Sequence, residues 1–253
     1  MNWQEILSKL IRGYPVSKEF IDPNYPEFIQ KIGGFEFTII ITGLSLILSI
    51  IIGFLFAVIR ETKLDSKSKL LNFAWLIFPM IVSTFVTVIR GLPILILISL
   101  VFFLPYPLFK IELPMFLRSL IALTIYSTAY MCEIFRSGFR AVHPENIETA
   151  KSLGLSQWQI FRYIKLPIAI RTMLPAFTGL AITVLKDSSV LSIVGVSELT
   201  RTAKEIDTAQ PASYFGLLFM VIVLYWLATG ILTGALYLLE RKFGLAKPPL
   251  IPA

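Results

Sequence analysis

Six apolar stretches without a charged residue run through this chain of 253 residues. Four of them have the length of about 20 residues that an α-helix needs to cross roughly 30 Å of hydrocarbon. The two shorter ones reach it only if charged residues at their ends snorkel or face a protein interior. Only 15% of the residues are charged, against about 25% in soluble domains. The sequence therefore predicts an all-α integral membrane protein. The long stretches are 37–59, 71–89, 91–109 and 208–239, and the short ones are 119–132 and 172–185.

The number of spans depends on residues 71–104, which are apolar apart from Arg90. As one helix they would be about 51 Å long, which exceeds the membrane thickness. The helix therefore either kinks and protrudes or forms two spans, with a break at Arg90-Gly91-Leu92-Pro93, where proline disfavours a straight helix. A hairpin at this break would give six spans.

Lys and Arg residues favour five spans over six. They cluster at 60–70, 133–165 and 241–247. The positive-inside rule places all three clusters in the cytoplasm, which leaves the N-terminus outside and the C-terminus inside. The predicted spans are 36–60, 71–104, 113–133, 166–186 and 213–239.

The remaining composition narrows the class of protein. Cys132 is the only cysteine, so no disulfide can form within the chain. The net charge of +7 does not indicate nucleic acid binding, because the cations lie beside the membrane spans and form no cluster interleaved with aromatic residues. Residues 1–34 carry Trp3, Ile6, Leu7, Leu10 and Ile11 at helical spacing. This predicts an extracytoplasmic or interfacial helix, with a solvated arm as the alternative.

A polar segment between the third and fourth spans has the signals of a helical elbow. Pro144 suits a first helical turn, and Gly154 suits the left-handed position that ends a helix. Ser156 and Gln159 have the spacing of a capping box for a second helix. We expect helices at 144–153 and 157–165, the second ending before Pro167. Ile147, Ala150 and Leu153 would then form an exposed apolar knob with Glu145 and Glu148 beside it, unless the segment is an ordinary amphipathic loop on the membrane surface.

The same segment resembles the EAA loop, by which the membrane subunits of bacterial ABC importers contact their ATPases, with Thr149 at the middle position of Glu-Ala-Ala. The resemblance implies a type I importer permease with five transmembrane helices and a cytoplasmic coupling helix between helices 3 and 4. Residues 35–243 would form the permease domain, with the coupling loop at 137–165, and 244–253 a cytoplasmic tail. The matching positions are Glu148, Ala150, Gly154, Ile164, Leu166 and Pro167, and the expected ATPase-coupling residues add Glu145, Ile147 and Leu153.

Three further segments are similar to the polar amino acid permeases, the histidine, glutamine and arginine uptake group. They are Arg90-Gly91-Leu92-Pro93, Ile121 to Arg136 and Leu185 to Val190. The chain departs from that group at His143 to Asn146, ahead of the Glu148 motif. This departure bears on the detailed fit to the ATPase.

Charged residues within or beside the spans are candidates for a substrate site. An amino acid offers a carboxylate to a cation and an ammonium group to an acid, and burying either charge without a partner is costly. We expect the binding residues Arg90, Glu133, Lys186 and Asp187, with hydroxyls from Ser188 and Ser189. The alternative is an ionic network that only holds the helices together, or snorkelling at the span ends.

The predicted protein is a transporter subunit and not an enzyme. The chain lacks the Gly-x-x-x-x-Gly-Lys-Ser/Thr loop of ATPases, so separate ABC ATPase subunits would hydrolyse ATP. Five spans also imply a second permease subunit, in a homodimer or a heterodimer. An extracytoplasmic binding protein would deliver the polar amino acid to the bacterial inner membrane. No cofactor, metal or nucleic acid is expected. The alternative is an ion-coupled secondary amino acid carrier that uses Asp187.

Overall fold

The computed structural model describes residues 3–13, 33–61, 69–209 and 214–242. The expected tail at 244–253 and most of the segment before residue 34 lie outside these ranges. The described part is helical, and its one β-type pairing is an isolated bridge between Gly34 and Glu198. In chain order, the α-helices are α1 (Trp3–Arg12), α2 (Gly34–Glu61), α3 (Lys69–Gly91), α4 (Ile94–Phe103), α5 (Pro105–Phe109), α6 (Met115–Arg140), α7 (Pro144–Ser152), α8 (Gln157–Ile160), α9 (Leu166–Asp187), α10 (Leu199–Ala209) and α11 (Tyr214–Lys242).

Within the described ranges, four helical runs are long and apolar enough to cross a membrane, and a bent pair adds a fifth if it counts as one span. The four runs are Gly34–Glu61, Met115–Arg140, Gln157–Val194 and Phe215–Lys242. They confirm the all-α membrane fold. The bent pair, Ile77–Gly91 with Ile94–Phe109, turns by 111°. The span predicted at 71–104 is therefore broken at the expected site, Arg90-Gly91-Leu92-Pro93, because Pro93 adopts an extended conformation (ψ 136°) and its ring nitrogen has no hydrogen to donate.

Helix α6 lies at the centre of the bundle and packs against α2, α3, α4 and α9. It approaches α2 closely at Gly53. A Cβ atom there would lie 2.8 Å from the Cβ of Met131 and 3.1 Å from the amide nitrogen of Cys132. Real Cβ atoms essentially never come that close to a neighbour. Only glycine therefore allows α2 and α6 to pack at this distance.

Helix α1 packs against the protein. Ile6 and Leu10 are buried with Leu199 and Ile206 of α10 and Leu217 of α11. The alternative of a solvated arm is therefore wrong for Trp3–Arg12. This docking brings α1, the start of α2 and α10 together at one end of the bundle, which we call the α1 end.

Backbone contacts complete the α1 end. Gly34 has a positive φ of 56°, and its amide donates to the carbonyl oxygen of Ser197 at 2.9 Å. The amide of Leu199 donates to the hydroxyl of Thr38 at 3.3 Å. The first span is thus hydrogen-bonded to the segment that follows the fourth.

Glu198 is fully buried at the start of α10. Its carboxylate accepts the amides of Thr200 (2.9 Å) and Arg201 (2.8 Å), which satisfies two donors at the helix N-terminus. Tyr225 of α11 donates its hydroxyl at 3.0 Å. Burial raises the pKa of the Glu198 carboxyl above its ordinary value, and these hydrogen bonds only partly offset that effect.

Candidate functional site

The segment between α6 and α9 forms the expected elbow. Helix α7 ends in a Schellman motif, in which the amide of Leu155 donates to Ala150 (3.1 Å) and that of Gly154 to Lys151 (2.9 Å). Gly154 has a φ of 79°. The capping box of α8 is present, with Gln159 N–H donating to Ser156 Oγ (3.3 Å) and Ser156 N–H to Gln159 Oε1 (2.8 Å). The local sequence signals therefore account for both arms.

The second arm of the elbow was predicted to end before Pro167, and this prediction is wrong. Helix α8 passes through a π-helical turn, Phe161–Lys165, directly into α9. Pro167 is tolerated because it lies in the first turn of α9, beside the wider π turn, where a missing amide donor costs little. The elbow is consequently continuous with the span Gln157–Val194.

The exposed surface of the elbow differs from the predicted knob. Leu153 is 75% exposed, whereas Ala150 is only 2% exposed and packs inside the elbow. Ala150 is therefore not part of an exposed knob. Glu145 and Glu148 are exposed and Ile147 is partly buried.

A groove of about 630 Å³ runs between the two arms of the elbow. Four expected coupling residues line it, namely Ala150, Leu153, Ile164 and Pro167, and Thr149 lies beside them. Tyr163 and Arg171 also line the groove and were missed, since the second arm was expected to stop before α9. Gly154 lies at the turn, and Leu166 is the first residue of α9.

A second cavity of about 360 Å³ lies between α3, α6 and α9. Its volume is in the range of small-molecule sites, roughly 300–1,000 Å³. Arg90 and Glu133, two of the expected substrate residues, both line it. The guanidinium carbon of Arg90 lies 5.4 Å from the centre of the Tyr130 ring, a cation–π distance. Tyr126 and Thr183 add hydroxyl groups to the cavity wall.

Glu133 is held by two arginines. Arg60 of α2 donates to Oε1 and also reaches the hydroxyl of Ser83 at 3.2 Å. Arg136 lies 3.6 Å from Oε2. The sequence used Arg60 only as one of the cations that indicate the cytoplasmic side. Its contact with Glu133 could not be predicted, because the two residues are 73 positions apart in the sequence.

The remaining expected substrate residues lie around the end of α9. Asp187 is partly buried. Lys186 is exposed. Ser188 is buried and donates to the carbonyl oxygen of Leu185 at 2.7 Å, and Ser189 is partly buried. The structure thus brings Arg90 and Glu133 to one cavity but leaves Lys186, Asp187, Ser188 and Ser189 outside its lining.

Comparisons with known proteins agree with this architecture. Residues 49–244 match the family described as "Binding-protein-dependent transport system inner membrane component". The probable amino-acid ABC transporter permease protein YckA of Bacillus subtilis is 30% identical over 220 residues, which cover 87% of this chain and 90% of YckA. The glutamine transport system permease protein GlnP of Escherichia coli is 35% identical over 159 residues, covering 62% and 72%.

Solved structures show the same fold. A crystal structure of an amino acid ABC transporter with histidines superposes with a TM-score of 0.71 at 30% identity, covering 83% of this chain and 92% of that one. The MetNI methionine ABC transporter, with a TM-score of 0.57 at 18% identity, supports the fold alone. The resemblance to importer permeases drawn from the sequence is confirmed. The chain therefore belongs to the family of binding-protein-dependent transport system inner membrane components.

Proposed function

We propose that this chain is the membrane-spanning subunit of an ATP-driven importer that carries a polar amino acid across the bacterial inner membrane. The observation that carries the proposal is the continuity of the elbow with one wall of the cavity. Leu180 and Thr183 line the cavity from α9, and the same helical run begins at Gln157 in the elbow. A displacement of the elbow would therefore move the cavity wall.

The elbow receives this displacement from separate ATPase subunits. Leu153 offers an exposed apolar contact, and Glu145 and Glu148 offer acids to basic groups on the partner. The other coupling residues shape the elbow and its groove. They are Ile147, Ala150, Gly154, Ile164, Leu166 and Pro167. ATP hydrolysis is assigned to the partner because this chain lacks a phosphate-binding Gly-x-x-x-x-Gly-Lys-Ser/Thr loop.

The bundle is oriented with the elbow in the cytoplasm and the α1 end outside. Lys and Arg residues between positions 133 and 165 support this orientation by the positive-inside rule. A binding protein delivers the amino acid at the α1 end. A second permease subunit, identical or similar, completes the pathway, since the four or five spans found among the described residues are too few to enclose it.

Arg90 and Glu133 form the charged part of the amino acid site in the cavity, and Asp187 is a further candidate at the end of α9. The relatives YckA and GlnP, an amino-acid and a glutamine permease, support this class of substrate. The family match favours ATP-driven import over the ion-coupled carrier considered from the sequence.

Co-purification with candidate ATPase subunits tests the coupling role. Leu153→Asp and Glu148→Lys should each reduce ATPase association and substrate-stimulated hydrolysis at least tenfold. Lys204→Glu is the matched charge-reversal control, because Lys204 is exposed on α10 at the α1 end. The proposal is wrong if both elbow variants retain normal association and stimulation.

A further inference from the structure

The groove between the two arms of the elbow is lined by one charged residue, Arg171. Its other polar side chains are those of Asn146, Thr149 and Tyr163, and the rest of the lining is apolar. Arg171 is exposed, and among the described residues no carboxylate oxygen lies within 4 Å of its guanidinium. The described part of the groove thus combines a cation that has no acid beside it with apolar walls.

The acids of the elbow lie on a different face of α7. Glu145 and Glu148 are exposed, and neither lines the groove. The α7 side of the groove is formed by residues three or four positions apart, which share one face of a helix, namely Asn146, Thr149, Ala150 and Leu153. The face that offers acids to the ATPase is therefore separate from the face that borders the groove.

The surroundings of the groove are basic. The sequence from 149 to 186 contains no Asp or Glu. Four of its cations precede or follow the start of α9 closely, and none of the four forms an ion pair with a described residue. They are Lys151, Arg162, Lys165 and Arg171. Each Lys or Arg near an anionic membrane surface strengthens the attraction about fivefold (about 1 kcal/mol), so this region favours anionic phospholipids.

Arg171 lies close to the level of the phospholipid headgroups. The apolar part of the fourth span starts at Leu166, and Arg171 follows about 7.5 Å further along the helix. Side chains of a helix lean toward its N-terminus, which is the cytoplasmic end of α9 in the proposed orientation. Arg171 lines the same groove as Tyr163, eight positions earlier, which agrees with this direction. The guanidinium can therefore reach the headgroup layer and avoid the cost of a charge in hydrocarbon.

We propose that this groove binds the headgroup of an anionic phospholipid from the cytoplasmic leaflet. Arg171 is the ligand of the phosphate, because a guanidinium group matches phosphate oxygens with two parallel donors. The hydroxyl of Tyr163 is a second donor, and Ile168 offers an apolar surface to the acyl chain. A headgroup in this position contacts both α7 and α9 and stabilises the angle between the two arms. The inference rests on the proposed cytoplasmic position of the elbow and not on the identity of the substrate.

Native mass spectrometry of the purified permease–ATPase complex tests the binding. The complex is released from nanodiscs that contain equal amounts of phosphatidylcholine and phosphatidylglycerol, without substrate, and the phosphatidylglycerol retained per permease chain is counted. Arg171→Gln should lower this retention at least fivefold, whereas Arg171→Lys should lower it less than threefold. Arg118→Gln is the matched control, because Arg118 lies in the first turn of α6, donates to the carbonyl oxygen of Phe102 (3.4 Å) and lines neither described cavity.

Tyr163→Phe is a second variant if Arg171→Gln does not assemble, and it should lower retention about threefold by removing one hydrogen bond to the phosphate. Substrate-stimulated ATP hydrolysis gives a second readout. The wild type should be at least threefold faster in nanodiscs with phosphatidylglycerol than in phosphatidylcholine alone, and Arg171→Gln should lose this difference.

Equal retention of phosphatidylglycerol by the wild type and the assembled groove variants would overturn the inference. So would weaker ATPase association of Arg171→Gln in phosphatidylcholine alone, because the groove would then be a contact of the ATPase. Lipid retention is measured without substrate, so a lack of substrate stimulation in the wild type under both lipid conditions, with retention as expected, would contradict the proposed function alone.

Discussion

The hydroxyl of Tyr225 on α11 donates to the carboxylate of Glu198 over 3.0 Å, in a position where Glu198 is fully buried. This contact joins the last span to the segment between the fourth span and α10. The same segment accepts the amide of Gly34 from the first span. Three spans therefore meet at the α1 end through hydrogen bonds with little access to water.

Replacing Glu198 should change how stability depends on pH. Burial raises its pKa above the ordinary value of 4.5, so the folded protein binds this proton more tightly than the unfolded chain does. The resulting stabilisation is complete below pH 4.5 and is lost as pH rises through the raised pKa. Glu198→Gln has no such proton. We expect the unfolding temperature of the wild type to fall relative to that of Glu198→Gln between pH 4 and pH 7.

Thermal unfolding of both proteins in the same detergent, at several pH values, measures this difference. Tyr225→Phe is the companion variant, because it keeps the titrating carboxyl and removes one hydrogen bond worth about 1 kcal/mol. A constant gap between the wild type and Glu198→Gln across this pH range would contradict the expectation.

Gly53→Ala should destabilise the bundle by about 1–3 kcal/mol, because the added Cβ would overlap with Met131 and force α2 away from α6. Gly43→Ala is the matched control on the same helix, where a Cβ meets nothing within 4 Å. Thermal unfolding in detergent compares the two. If both variants unfold at the same temperature, α2 and α6 do not depend on this close approach.

The sequence was sufficient for the helices but not for their relative geometry. Apolar length predicts where a helix can cross a membrane, and this identified the runs around residues 36–60 and 213–239. Apolar length does not determine the angle of the 111° bend after Gly91. This angle depends on how α4 packs against α6 and the residues after α9. Docking of α1 also escaped prediction, since its amphipathic pattern fits a lipid surface equally well.

The elbow was more predictable than the cavity, because local sequence signals determine the elbow, whereas contacts between separate helices determine the cavity. Gly154 and the Ser156–Gln159 box act over three to five residues, so their signals are present in the local sequence. The pairing of Arg60 with Glu133 joins two helices. It shows that Glu133, which the sequence assigned to substrate binding, already has a cationic partner within the protein. Contacts of this kind require the packed structure.

Gly154→Ala should loosen the elbow. The left-handed conformation at φ 79° costs a residue with a Cβ about 1–2 kcal/mol. The Schellman hydrogen bonds from Gly154 and Leu155 should then open more often. Hydrogen–deuterium exchange of peptides covering 150–160 should become faster. Gly230→Ala is the control, since it lies inside α11 with no atom within 4 Å of an added Cβ. Unchanged exchange in Gly154→Ala would show that this turn adapts without cost.

Leu10→Ala should detach α1 from the α1 end. Leu10 is fully buried against α10 and α11, whereas Leu7 on the same helix is 40% exposed. Loss of a buried leucine costs about 2–5 kcal/mol. Limited proteolysis should therefore cut the N-terminal segment sooner in Leu10→Ala than in Leu7→Ala. Equal rates would mean that α1 is not held by this contact.

Asp187 and Lys186 are adjacent in sequence, but the structure predicts different consequences for their loss. Asp187 is partly buried, whereas Lys186 is exposed. Asp187→Asn removes the acid available to the substrate ammonium group and should lower glutamine uptake at least tenfold, which corresponds to about 1.4 kcal/mol. Lys186→Gln should lower it less than threefold. Uptake into proteoliposomes containing the permease, its ATPase and its binding protein measures both, and ATPase association checks assembly. An equal, large loss in the two variants would place Lys186 in the site as well, facing the substrate from a direction that one subunit does not enclose.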